Sequence, residues 1–215
     1  ADSQRTVQMQ RLLPPGSDRC RRCAAGAPFQ LRVGVCSGAV VGGTVDALQD
    51  HGVYVHQTAS GGSLTMRNVA ATATTGVSYA AAVRVSAVDG FPVDLSGCTL
   101  SGAVGFRVSN ANGFVAKYSA TTFTGAVDQA FLMQTPAGGA QDVSFTGCTI
   151  NGNYGVELDA IYDTALSFEG GAITGAQDSR GLCTENFVFN CTIGVTTALH
   201  SKSHFHSNTI IGMLD

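Results

Sequence analysis

The sequence has no tryptophan, only five prolines, and charged side chains at just 13% of its 215 residues, where soluble domains usually carry about a quarter. No apolar run approaches the eighteen or more residues of a membrane-spanning helix, and no signal-peptide layout opens the chain. Membrane insertion is not expected, nor is a nucleic-acid partner. Cysteine is present but odd in number, at seven. Cys20 and Cys23 form a C-x-x-C with Cys36 nearby, but no second pair of suitably spaced ligands follows, so a zinc site is not expected. His200, His204 and His206 are also too weak a set to call a metal centre, and no cofactor is called for. Free thiols in a protein made in a reducing cytosol are the simpler account.

What is abundant is glycine, at 27 residues, together with Ser, Thr and Asn, while 44% of residues are hydrophobic. That composition is folded and β-rich, not disordered. Charge is unevenly placed. Residues 1–32 carry Arg5, Arg11, Arg19, Arg21, Arg22 and Arg32 against Asp2 and Asp18, a balance of +4, and the remainder carries −7. The division expected is an Arg-rich arm or anchor over residues 1–36, with a short helix over 7–13, and a single body over 37–215. A basic arm on an acidic body suggests that the two face different partners.

The body repeats. V-S-F-T-G-C-T-I-N-G at 143–152 returns as V-D-L-S-G-C-T-L-S-G at 93–102, A-K-Y-S-A-T-T-F-T-G at 116–125, L-S-F-E-G-G-A-I-T-G at 166–175, F-V-F-N-C-T-I-G at 187–194 and F-H-S-N-T-I-I-G at 205–212. The apolar residue near each final Gly (Leu100, Phe123, Ile150, Ile173, Ile193, Ile210) recurs at 23, 27, 23, 20 and 17 residues, a loose period that marks stacked units. Within a unit, residues two apart such as Val143 and Phe145 share a face. The parity then breaks at a Thr-Gly or Ser-Gly corner, so the chain bends and starts a new short strand. A second run follows: G-F-R-V-S at 105–109, A-F-L-M-Q at 130–134, G-V-E-L-D at 155–159, G-L-C-T-E at 181–185 and A-L-H-S-K at 198–202.

The F-x-G-C-T-I-x-G outline and the G-V-x-L second strand resemble the right-handed parallel β-helix of the pectate-lyase-like type, an architecture of polysaccharide lyases, glycoside hydrolases and bacteriophage tailspikes. The resemblance covers residues 61–212 and extends toward Val33. It implies an all-β, single-stranded solenoid with an N-terminal arm. Stacking at about 4.8 Å lines up like residues, predicting the inward ladders Leu95/Tyr118/Phe145/Phe168/Phe189/Phe205 and Leu100/Phe123/Ile150/Ile173/Ile193/Ile210. A third ladder, Cys98/Thr121/Cys148/Gly171/Cys191/Asn208, sets its cysteines two coils apart, too far for disulfides.

Registering the second strands gathers Glu157, Asp159, Glu185, His200 and Lys202 on one outward patch, beside Arg107, Leu132 and Gln134. Carboxylates on adjacent coils lie in the range used by glycoside hydrolysis, and crowding would raise at least one pKa. Glu157, Asp159 and Glu185 are the catalytic candidates; Tyr154, Tyr162, His200 and Lys202 are the carbohydrate-contact candidates. The resemblance implies a virion structural or adhesive protein, a tailspike or capsid decoration. Such a protein would be trimeric, with its arginines docking on other virion proteins and its β-helix meeting host-surface polysaccharide. A polysaccharide hydrolase or lyase is the alternative, and a secreted carbohydrate-binding β-helix the third reading. The expected location is the virion, after synthesis in the host cytoplasm.

Overall fold

The alternation of apolar and polar residues calls for short strands with sharp corners. In the computed structural model, residues 30–32, 37–47, 51–56, 62–134, 140–176, 180–189, 192–199 and 202–205 are described, and they contain strands and no helix. The chain runs through β1 (Gln30–Arg32), β2 (Ser37–Val41) and β3 (Thr44–Asp46). β4 (Val53–His56), β5 (Ser63–Arg67) and β6 (Ala70–Thr72) repeat the pattern, as do β7 (Ala81–Ser86), β8 (Pro92–Ser96) and β9 (Thr99–Gly102). β10 (Val104–Ser109) and β11 (Val115–Ser119) follow. Beyond them the strands continue through corners, as β12 (Thr122–Gln134), β13 (Gln141–Tyr162), β14 (Thr164–Gly175), β15 (Arg180–Phe189), β16 (Thr192–Leu199) and β17 (Lys202–Phe205).

Every strand pairing is parallel, and each strand pairs with its copy one coil away. The result is a β-solenoid, a parallel β-helix with three sheets around one core. A front sheet stacks β1, β4, β7, β10 and the front segments of β12, β13, β15 and β17. A back sheet stacks β2, β5, β8, β11 and residues 141–146 and 164–169. A short sheet stacks β3, β6, β9 and residues 122–125 and 148–152.

The corner between back and short sheets shows why the repeat carries Gly there. Asn68, Gly97, Ala120, Gly147 and Gly170 occupy it coil after coil, with φ of 53, 61, 45, 61 and 62°. This left-handed conformation is what only Gly adopts without strain. The corners also bond along the stack: Asn68 N–H donates to Ser96 O at 2.9 Å, Gly97 to Ser119 O at 3.0 Å and Ala120 to Thr146 O at 2.9 Å. The parity break read from the sequence is this turn.

Inside, the first two ladders stand in register from Leu95 through Tyr118 and Phe145 to Phe168, and from Leu100 through Phe123 and Ile150 to Ile173. Phe145 lies 4.5 Å from Phe168 at 12° and 4.8 Å from Tyr118, and Phe106 stacks on Phe131 at 5.6 Å. Burying such a side chain contributes about 1.5–3 kcal/mol. Tyr118 is fully buried and its hydroxyl has no partner; burial first, with Cys148 adding to it, raises its pKa well above the usual 10.

The ladders differ from expectation in the last coils. Phe168 pairs with Val195 and Ile173 with Leu199, while Ile193 stands beside Leu166, Phe189 beside Tyr162 and Phe205 beside Thr184. The motif at 187–194 straddles the end of β15 and the start of β16 and does not repeat the back-to-short corner. Ile210, Cys191 and Asn208 lie outside the described residues, as do Cys20, Cys23, Cys36 and the segment 7–13. Cys98 and Cys148 are buried free thiols. Burial, the leading cause, raises both pKa values against nearby backbone hydrogen bonds, which makes them packing residues and poor nucleophiles.

Candidate functional site

On the outside of the front sheet, neighbouring rungs place equivalent side chains side by side about 4.8 Å apart. One column runs Tyr54, Arg84, Arg107, Leu132 and Glu157, and beside it run His56, Ser86, Ser109, Gln134 and Asp159; the Cys183 and Glu185 backbones follow in register on the next rung. Several of these outward residues are nevertheless buried: Ser86, Ser109 and Leu132 are 4%, 5% and 8% exposed. Leu132 packs with Ala81 and Val104 in a small apolar cluster separate from the core. Ser109 Oγ donates to Ser86 Oγ at 3.2 Å.

At the N-terminal end the face is cationic and aromatic. The Arg84 guanidinium lies 5.2 Å from the Tyr54 ring centroid, a cation–π geometry. Tyr54 stacks on His56 at 5.4 Å and lies 5.3 Å from His51. His51 is buried; its Nδ1 accepts the Ala81 N–H at 2.9 Å, and its Nε2 lies 2.8 Å from Arg84 Nη1. With Nδ1 accepting, the neutral ring carries its proton on Nε2, and arginine is a donor only. The contact therefore brings two donors together. Among the described residues no carboxylate pairs with Arg84, and the surface ion pair described is Arg67–Asp94 on the back sheet, at 3.0 Å.

Arg107 follows Arg84 on the next rung. Burial first, then the Arg84 charge, lowers its pKa, while Asp128 and Glu157 act the other way. Arg84 Nε, Arg107 Nε and His56 Nδ1 are all buried without a hydrogen-bond partner, and a buried donor or acceptor left unpaired costs about 1–3 kcal/mol. Toward the C-terminal end the face turns acidic and amide-lined. Gln129 Nε2 donates to Glu157 Oε2 at 2.7 Å, and Gln134 Nε2 donates to Asp159 Oδ2 at 2.6 Å. Asp128 has a raised pKa; burial is the larger cause, partly offset by Arg107.

Glu157 and Asp159 lie two apart on β13 with Glu185 one rung beyond Asp159, in the expected register. Tyr154 pairs with Gln129 on the acidic flank, and the Tyr162 backbone pairs with Phe189 at the far end of the strand. The Lys202 backbone is not in the expected register beside Glu185. It pairs with Arg180, and His204 takes the place beside Cys183 that His200 was expected to hold. The run at 198–202 divides between sheets: Ala198 and Leu199 close the short sheet against Ala172 and Ile173, while Lys202 opens β17 on the front, where a bulge offsets β15 from β17. His200 lies outside the described residues, as do Arg5, Arg11, Arg19, Arg21 and Arg22. Arg32 lies in β1 and pairs with His56, so the first coil begins inside the segment expected to be an arm.

His51, Tyr54, His56, Arg84, Asp128 and Gln129 are additions from the structure. Arg84 carried a signal, since Val83 and Val85 point inward and leave it outward. Among the described residues no group of three or more His, Cys, Asp and Glu side chains is placed to hold a metal ion. No helix there is long and apolar enough to cross a membrane. What the fold and this face define is a parallel β-helix with one ordered polar sheet on its flank. Comparison with family models, curated proteins and solved structures finds no match.

Proposed function

We propose that the chain is a bacteriophage virion protein of tailspike or capsid-decoration type, trimeric, with its N-terminal arginines docking on the particle and its β-helix presenting a ligand-binding flank. The observation that carries the reading is the front sheet. Its Tyr54, His56, Arg84, Arg107 and Gln134 are held half-buried beside the buried His51 and Gln129 on a rigid stack, an arrangement that pre-pays the ordering cost of recognition. Aromatic faces beside amides and guanidinium groups suit a glycan, whose ring stacks and whose hydroxyls hydrogen-bond. The resemblance of the repeat supplies the virion context, and the +4 balance of residues 1–32 supplies the arm.

Removing residues 1–29, which takes away Arg5, Arg11, Arg19, Arg21 and Arg22 and spares β1, tests the docking half of the proposal. Particle association in a reconstitution assay should be lost, and the far-ultraviolet β-signature should stay. A truncated chain that still decorates particles would sink the docking role. Glycan-array binding by the full chain tests the flank, and light scattering tests the trimer.

Polysaccharide cleavage is the second reading, and one observation favours it: Asp128 combines a raised pKa with a neighbouring Arg107 that also feels Glu157. This pairs a candidate proton donor with a second carboxylate. In that reading Glu157→Gln and Asp128→Asn each lower release of reducing ends or unsaturated products at least about a hundredfold. Product release unaffected by either change would leave these carboxylates without a catalytic part.

A further inference from the structure

We infer that Arg84 and Arg107 form a binding site for a single oxyanion group, a carboxylate, sulfate or phosphate, on the N-terminal rungs of the front sheet. The inference rests on the reading of that sheet as the ligand-binding flank, and it adds the chemical class of the ligand and the place where it sits.

Two half-buried guanidinium groups on adjacent rungs repel each other, and the fold supplies only part of the compensation. Arg107 has Asp128 and Glu157 on its far side. Arg84 has the Tyr54 ring and His51, neither of which carries negative charge. Along this edge, on three consecutive rungs, His56 Nδ1, Arg84 Nε and Arg107 Nε are buried without partners. Beside them sit the bonded hydroxyls of Ser86 and Ser109. An oxyanion between the two forks would receive charge-assisted hydrogen bonds from both arginines, and its charge would replace their mutual repulsion with attraction. The aromatic pair Tyr54 and His56 would flank the group that carries the anion. Asp128, Glu157 and Asp159, further along the same face, repel an anion and so confine it to the Arg84–Arg107 end.

The test uses the full chain at fixed ionic strength and follows the Nε–H resonances of Arg84 and Arg107 during titration with glucuronate, glucose and inorganic phosphate. The expected result is a saturable shift of both resonances with glucuronate and none with glucose. Arg107→Gln should weaken binding at least tenfold, and Arg107→Lys, which keeps the charge but loses the fork, should weaken it less. A shift with phosphate as well assigns the site to free oxyanions; glucuronate alone assigns it to a carboxylate on a sugar. Equal shifts with glucose and glucuronate overturn the anion site but leave a glycan-binding flank. No saturable shift with any probe overturns both. If Arg107→Gln does not fold, Arg84→Gln with the same titration replaces it.

Discussion

The back and front sheets are cut from the same coils, yet they treat their outward residues in opposite ways. On the back, β8 and β11 alternate cleanly, burying Val93, Leu95, Ala116 and Tyr118 and leaving Asp94, Lys117 and Ser119 half-buried or exposed. The Arg67–Asp94 pair there is about half exposed on both sides, at 50% and 46%, and an ion pair of that kind is worth about 0–1 kcal/mol. On the front, β7 and β10 bury every residue except Arg84 and Arg107. A sheet that faces only water has no reason to bury its outward column. Where alternation fails on both faces of a strand, the outer side chains are ordered by one another, and that order is what a recognition surface needs.

The sharpest test compares outward positions on the two sheets. Leu132→Ala on the front should cost about 2–3 kcal/mol, because it empties the cluster with Ala81 and Val104. Lys117→Ala on the back should stay within about 0.5 kcal/mol. Denaturant midpoints at constant slope give both numbers, and equal small losses would mean that the front is no more packed than the back.

The inward side of the back sheet holds one misfit. The Tyr118 hydroxyl is buried without a partner, so Tyr118→Phe should not weaken the fold and should gain about 1 kcal/mol. Because burial raises this pKa above the unfolded value, the tyrosine's contribution is complete below about pH 10 and is lost as pH rises toward the folded value. Alkaline unfolding should therefore begin at higher pH in the variant. A phenylalanine variant clearly less stable at pH 7 would show that the hydroxyl has a partner.

How far these contrasts could be read from the residues alone depends on the coil. The ladder from Leu95 to Phe168 was legible because each apolar pair precedes a Gly or Ala corner at similar spacing: Leu95, Tyr118, Phe145 and Phe168 follow one another at 23, 27 and 23 residues. The register of Glu157 and Asp159 followed from that spacing. The last coils were not legible, since a period-two apolar signal does not say which of three sheets a strand joins. The intervals of 20 and 17 residues were shorter than one regular coil. The basic end of the face was missed for a different reason: Tyr54 and Arg84 precede the clear repeats, and His51 and Asp128 sit at corners, where burial depends on neighbouring coils.

The corner column offers a smaller effect. Ala120 holds φ of 45° where the equivalent residues Gly97 and Gly147 hold 61°. Relief of left-handed strain in Ala120→Gly exceeds the added backbone entropy, for a net gain of about 0.5 kcal/mol. A loss in thermal midpoint would show that the Ala120 methyl packs usefully.

The smallest effect bears most directly on the contrast between sheets. Asp128 sits partly buried near Arg107, and burial holds its carboxyl above the ordinary range despite that arginine. The folded state therefore keeps this proton more tightly than the unfolded chain does. Its contribution to stability is full below the unfolded value near pH 3.9 and is lost as pH rises through the folded one. Asp128→Asn cannot ionise, so its thermal midpoint should match the wild type at about pH 3 and lie slightly above it at pH 7. The same change removes a negative charge from beside Arg107, so oxyanion binding should tighten. If the variant is instead weaker at pH 7, attraction between Asp128 and Arg107 outweighs burial. Arg107 is then neutralised within the chain as Arg67 is by Asp94, and the front sheet differs from the back in packing but not in readiness for an anion.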